Sequence, residues 1–158
     1  MEDMQEYITN NFEETQKLGE ELASRLKGGE ILCLEGELGA GKTTFTQGIL
    51  KGLGAEGPYT SPTFLIIKNY KKEIPISKSQ FPNKSQITND KIQNIYHIDA
   101  YRVGADDMLN LGWEEMIGNP KNIIIIEWPE RIEKILPEKV LRIKFEGLDE
   151  KKRKITFE

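Results

Sequence analysis

Residues 36–43 read GELGAGKT and satisfy the pattern G-x-x-x-x-G-K-[ST] in full. The chemistry that this spacing serves is the holding of a nucleotide triphosphate. Gly36, Gly39 and Gly41 let the backbone curl until successive N–H groups converge on a β-phosphate. The helix that follows turns its positive end to the anion, which is worth up to about 2 kcal/mol in a partly buried site. Lys42 reaches the β- and γ-phosphate oxygens, and the Thr43 hydroxyl ligates Mg2+. A glycine turn that merely joined a strand to a helix would have no packing use for a lysine and a threonine at its mouth.

A nucleotide site also needs a carboxylate from a neighbouring strand, to hold Mg2+ or its waters. Two acids qualify. Glu127 ends the apolar run NIIIIE, and Asp99 ends YHID. A buried strand delivers such a residue to the carboxyl edge of a sheet, where ligands bind in open α/β folds. His97, the only histidine, shares a strand face with Asp99. It reads first as a packed, hydrogen-bonded side chain, with orientation of Asp99 or contact with phosphate as the sharper alternative. Trp128 either stacks near the nucleotide or packs under the loop, and spacing alone leaves both open. Ser61 and Thr63 offer hydroxyls in the region where several nucleotide hydrolases sense the γ-phosphate. No N-K-x-D motif specifies guanine, and no long arginine-bearing lid of the small nucleotide kinases is present.

These residues need a frame. Residues 11–27 read as a helix, with Asn11 and Glu14 as a capping pair and Leu18, Leu22 and Leu26 on one face, stopped by Gly28 and Gly29. EILCLE (30–35) is a strand. TTFTQGILKGL is a helix with Phe45, Ile49 and Leu53 inward. Strands follow at 61–70, 95–99 and 122–128, the last buried on both faces. Residues 106–117 form a helix interrupted at Gly112, and Pro129 opens a short helix. KVLRIKFEG and KRKITFE alternate and pair as a terminal hairpin. The expected fold is α/β, a P-loop NTPase-like three-layer sandwich with a mixed, mainly parallel central sheet and a C-terminal antiparallel hairpin.

At 158 residues the chain suggests one domain. Its 37% hydrophobic and 30% charged residues are ordinary for a globular protein. The single Cys33 lies in an apolar run, so it reads as a small buried hydrophobe in a reducing compartment. No apolar run approaches membrane-spanning length, and the acidic N-terminus lacks a signal-peptide core. The expected location is the cytoplasm. A net charge of −4 argues against broad nucleic-acid binding by this chain alone. The segment 71–94 differs from the rest, with five lysines against two acids. It reads as a solvated excursion between strands, or else as a contact surface for RNA or a partner.

Six pieces resemble one family. EETQKLGEELA, LEGELGAGKTTFTQGILKGLG, SPTFLIIKNY, YHIDAYR, LGWEEMI and IIIIEWPERI follow its order and span most of residues 13–132. That family is TsaE (YjeE), bacterial P-loop ATPases required for the threonylcarbamoyl (t6A) modification of adenosine 37 in tRNAs that read ANN codons. The resemblance implies that Gly36, Glu37, Leu38, Gly39, Ala40, Gly41, Lys42, Thr43 and Thr44 bind ATP phosphates, with Thr43 on Mg2+. It places Glu127 at the Walker B position and Asp99 near the γ-phosphate, to position water or Mg2+. It puts Thr63 in a switch-like S-P-T, Trp128 and Arg131 beside the nucleotide, and Thr15 near the base. The implied partners are TsaD, which transfers the group, and TsaB, its scaffold, with tRNA reached through that complex. One departure is the length of 71–94, which looks like an insertion. Two other readings share the phosphate loop: a small-molecule kinase, and a nucleotide sensor that does not hydrolyse.

Overall fold

The computed structural model describes residues 4–62, 65–72 and 92–158. Among them seven strands form one sheet in the order β1-β7-β6-β2-β5-β4-β3. The strands are β1 (Gln5–Thr9), β2 (Ile31–Glu35), β3 (Ile67–Lys71), β4 (Asn94–Asp99), β5 (Asn122–Glu127), β6 (Leu141–Gly147) and β7 (Arg153–Phe157). The central run β6-β2-β5-β4 is parallel throughout. The outer pairings β1–β7, β6–β7 and β3–β4 are antiparallel. The sheet is therefore mixed, with its parallel strands at the centre.

Helices cover both faces. The alternation of side chains along a strand decides which residues meet which helices. Leu32 and Leu34 of β2, with Ile123 and Ile125 of β5, face a core closed by Phe45 and Ile49 of α2 (Lys42–Gly52). Ile31, Cys33, Ile124 and Ile126 face the opposite core. There they meet Met108 of α3 (Ala105–Asn110), Trp113 and Met116 of α4 (Trp113–Gly118), and Ile132 of the 3-10 segment Pro129–Ile135. All six residues of β5 are buried, as its apolar run predicts.

The helix α1 (Phe12–Ala23) begins at Asn11, whose side chain accepts the Glu14 N–H at 2.8 Å. Glu14 returns the favour one residue early, accepting from the Asn10 N–H at 2.8 Å. The helix stops at Ala23, short of the glycines expected to end it. The reason is local: Glu30 takes the N–H groups of Lys27 and Gly28 at 2.8 and 2.7 Å, which holds those residues in a turn. The interruption expected at Gly112 is present: Gly112 stands at φ +90° between the helices Ala105–Asn110 and Trp113–Gly118.

Three further departures from the pattern are informative. β1 was hidden in an acidic segment and forms only as an edge strand on β7. The second expected strand starts at Ile67 rather than 61, because Leu65 N–H turns back to the Pro62 carbonyl at 3.0 Å. The segment opened by Pro129 is a 3-10 turn rather than an α-helix. Most of the basic excursion, residues 73–91, lies outside the described residues, as does Thr63. No helix among the described residues is long and apolar enough to cross a membrane.

α1 packs on α2 at very short range. A Cβ on Gly48 would lie 1.9 Å from the Gln16 carbonyl oxygen, and one on Gly19 would lie 2.3 Å from that of Phe45. Both obstacles are backbone and cannot give way. Gly48→Ala should therefore lower unfolding free energy by about 2 kcal/mol or more in denaturant titration. Gly118→Ala meets open space and should stay within about 0.5 kcal/mol of wild type. Cys33 makes a second check. Burial pushes its thiol from 9.0 up to about 12. Since thiolate is the reactive form, thiol reagents at neutral pH should label the native chain negligibly and the denatured chain fully.

Candidate functional site

The parallel strands β2, β5 and β4 end together at one edge of the sheet, and the side chains singled out above hang from that edge. β2 runs into the loop 36–41, and α2 starts at Lys42. The residue before it, Gly41, has φ +106°, a left-handed conformation that side chains strain to adopt. It tips the chain so that the first turn of α2, whose N–H groups have no carbonyl of their own to bond, opens into a cavity. That cavity has a volume of about 840 Å3. Glu37, Leu38, Gly39, Ala40, Gly41, Lys42, Thr43 and Thr44 all line it. Leu38 stands 91% exposed at its rim.

Lys42 is 7% exposed. Its ammonium donates to the Gly36 carbonyl and to the Glu37 carbonyl at 3.3 Å. It also lies 4.2 Å from the centroid of the Trp128 ring, a cation–π contact. Burial pulls its pKa down, and Glu127, Glu130, Asp99 and Glu37 pull it partly back. Lys42 is thus a desolvated cation held by neutral carbonyls and a ring, with carboxylates at longer range. An anion delivered to the cavity would restore what burial took away.

The register of β4 on β5 sets Asp99 directly beside Glu127. Glu127 is 4% exposed, and its Oε1 accepts the Thr43 hydroxyl at 3.2 Å. Asp99 is half-buried, and its Oδ1 accepts the Tyr101 N–H at 3.0 Å. Both acids line the cavity with Thr43. One hydroxyl and two carboxylates are hard oxygen donors of the kind that suits Mg2+. Among the described residues no cluster of three His, Cys, Asp or Glu could cage a metal alone.

Chain geometry places the remaining candidates as follows. Trp128 is half-exposed, at φ 60° and ψ 49°, so the chain turns sharply as β5 ends. Its ring meets both Lys42 and Tyr101, the centroid of the latter 5.1 Å away. Arg131 does not line the cavity; its guanidinium sits 5.5 Å from the Tyr101 ring centroid. Thr15 lines the cavity and shares a hydrogen bond of 2.7 Å with the Thr9 hydroxyl. Ser61 lines the cavity too. His97 stays behind the carboxylates, outside the lining.

Sequence reasoning passed over five lining residues: Phe12, Tyr101, Glu150, Lys151 and Arg153. Tyr101 lay in plain view after H-x-D but carried no signal of its role. Arg153 reaches from the C-terminal hairpin to donate to the Gly39 carbonyl at 3.2 Å, and its side-chain carbons lie against Gly41. Nothing local in KRKITFE predicts a contact with a loop more than a hundred residues away.

The comparisons with known proteins agree with one another. The family model "Threonylcarbamoyl adenosine biosynthesis protein TsaE" matches residues 9–155. The tRNA threonylcarbamoyladenosine biosynthesis protein TsaE of Bacillus subtilis is 38% identical over 149 residues, covering 94% of this chain and 82% of that protein. Its namesake in Aquifex aeolicus is 38% identical over 159 aligned positions, covering 99% and 98%. A crystal structure of YdiB from Bacillus subtilis superposes with a TM-score of 0.72 at 32% identity, covering 99% of this chain and 86% of that one. With the phosphate-loop sandwich, the matched span and the near full-length identities all in agreement, the chain belongs to the TsaE family of tRNA threonylcarbamoyladenosine biosynthesis.

Proposed function

We propose that this chain binds ATP with Mg2+ in the 840 Å3 cavity, hydrolyses it, and uses the cycle to drive threonylcarbamoylation of tRNA adenosine by a TsaB–TsaD complex. It would act in the cytoplasm, meet tRNA through that complex, and transfer no group itself. The observation that carries the reading is the arrangement at the sheet edge. A desolvated lysine, a threonine hydroxyl bonded to a buried glutamate, and a second acid in register with it surround one cavity.

The geometry supports the following roles. The first turn of α2 and the loop 36–41 cradle the β-phosphate with N–H groups. Lys42 exchanges the Gly36 and Glu37 carbonyls for phosphate oxygens, regaining charge compensation. Thr43, with Asp99 and Glu127 directly or through water, would hold Mg2+, which would supply positive charge to offset the charge on the phosphates. Glu127 holds the Thr43 hydroxyl in place. Asp99, its plane fixed by the Tyr101 N–H, orients the attacking water. Trp128 and Tyr101 wall the phosphate end from solvent. Thr15 and Phe12 also line the cavity and are proposed to meet the base. Thr63 is proposed for the γ-phosphate and Arg131 for support of the Tyr101–Trp128 wall.

In a reconstituted system with TsaB, TsaD, tRNA and threonylcarbamoyl-adenylate, Lys42→Ala and Asp99→Ala should each abolish multiple-turnover modification. Normal turnover with Lys42→Ala would sink the proposal. Incubation with ATP and a metabolite pool should yield no newly phosphorylated small molecule. The Lys42 environment gives a further check. Burial lowers its pKa in the free protein, and a bound polyphosphate would raise it. ATP binding in alkaline buffer should therefore take up protons, and affinity should fall as pH rises through the lowered pKa. Calorimetry in two buffers of different ionisation enthalpy reads the uptake, which Lys42→Arg should remove.

A further inference from the structure

The order of the sheet also orders the rim of the cavity. β6 runs parallel to β2, so its turn into β7 rises at the same edge as the phosphate loop. β1 runs antiparallel to β7, so it ends at that edge too and hands the chain to α1. The strand order puts the hairpin turn and the start of α1 on one flank of the loop. Glu127 and Asp99, from β5 and β4, stand on the other. On the first flank the cavity is lined by Phe12, Thr15, Glu150, Lys151 and Arg153. A nucleotide whose metal and terminal phosphates are drawn to the two acids leaves its nucleoside for the hairpin flank.

The hairpin turn has a held backbone and two unengaged side chains. The Asp149 carboxylate accepts the N–H groups of Lys151 and Lys152, each at 2.7 Å. The Arg153 guanidinium donates to the carbonyls of Asp149, Lys152 and Glu150 at 2.8, 2.9 and 3.3 Å. It also donates to that of Gly39 at 3.2 Å, which bolts the turn to the phosphate loop. The side chains of Glu150 and Lys151 form no hydrogen bond or ion pair among the described residues, although both line the cavity. An acceptor and a donor thus stand next to each other at the nucleoside flank, on a backbone tied to the loop.

We propose that Glu150 and Lys151 read the base of the bound nucleotide and select adenine over guanine. The inference rests on the reading that ATP occupies the cavity. Adenine presents a donor, its 6-amino group, beside an acceptor, N7. Glu150 accepts from the first and Lys151 donates to the second. Guanine presents two acceptors at the same edge, O6 and N7. Lys151 serves one of them and Glu150 faces the other. A carboxylate accepts but does not donate, so that contact stays unmet and guanine is disfavoured.

The test is equilibrium binding to the full chain of triphosphates that differ only in the base. The set is ATP, GTP, ITP with a 6-oxo group, purine riboside triphosphate with no 6-substituent, and 7-deaza-ATP with no N7 acceptor. Wild type should bind ATP about tenfold more tightly than ITP or purine riboside triphosphate. Glu150→Ala should bind ATP and purine riboside triphosphate alike. Glu150→Lys offers two donors and should reverse the preference, taking GTP and ITP over ATP. Lys151→Ala should bind ATP and 7-deaza-ATP alike. Lys152→Ala, at a neighbour outside the lining, should keep the wild-type ratios. Because each readout is a ratio within one variant, a general change of charge cancels. An unchanged ATP-to-ITP ratio in Glu150→Lys would overturn the proposal, as would equal binding of ATP and purine riboside triphosphate by wild type. Wild type that binds none of these nucleotides would instead defeat the reading of the cavity as an ATP site, and this proposal with it.

Discussion

The structure depends on one alignment: the parallel strands β4, β5 and β2 end at a common level. Parallel register lines Asp99 up with Glu127 and sets the Leu34–Glu127 pair just before the phosphate loop. Had either strand slipped by one residue, its acid would point into the opposite core, since strand side chains alternate faces. In β5 the ends of the run resist that slip: Ile123 to Ile126 suit either core, but a shift by one residue would turn Asn122 and Glu127 away from the Met116 carbonyl and the Thr43 hydroxyl that they bond.

Much of this was legible in the sequence, and the physical reason differs by element. The loop 36–43 is readable because its chemistry is local: glycines, a lysine and a threonine act within one turn of chain. β5 is readable because burial on both faces leaves a continuous apolar run. Asp99 and Glu127 could be nominated because a strand end has only one place to go. β1 was not readable, since an edge strand half in solvent needs no apolar run, and its partner β7 lies at the far end of the chain. Arg153 was hidden for the same reason: its contact with Gly39 is created by topology alone.

The histidine shows a different limit. Spacing put His97 on the face of Asp99, and the structure keeps it there. The expectation of a packed, hydrogen-bonded side chain is half right, because the ring is packed and its nitrogens have no hydrogen-bond partner among the described residues. Periodicity predicts which way a residue points. It is silent on whether a polar atom finds a partner, which is settled by distances of a few tenths of an ångström.

The clasp between α1 and α2 has a consequence for the whole cavity. Gly19 and Gly48 bring the two helix backbones into contact, so the pair moves as a single strut. Thr15 and Lys42 both project from that strut, one turn before and about two turns before the respective contact glycines. Their separation is thereby set like the jaws of a fixed caliper. Asp99 and Glu127 belong to the sheet beneath. The plane between strut and sheet is crossed at the cavity by the bond from Thr43 to Glu127. Whatever occupies the cavity is measured for length by one rigid body and for charge by the other, and the bond between Thr43 and Glu127 is where the two measurements meet.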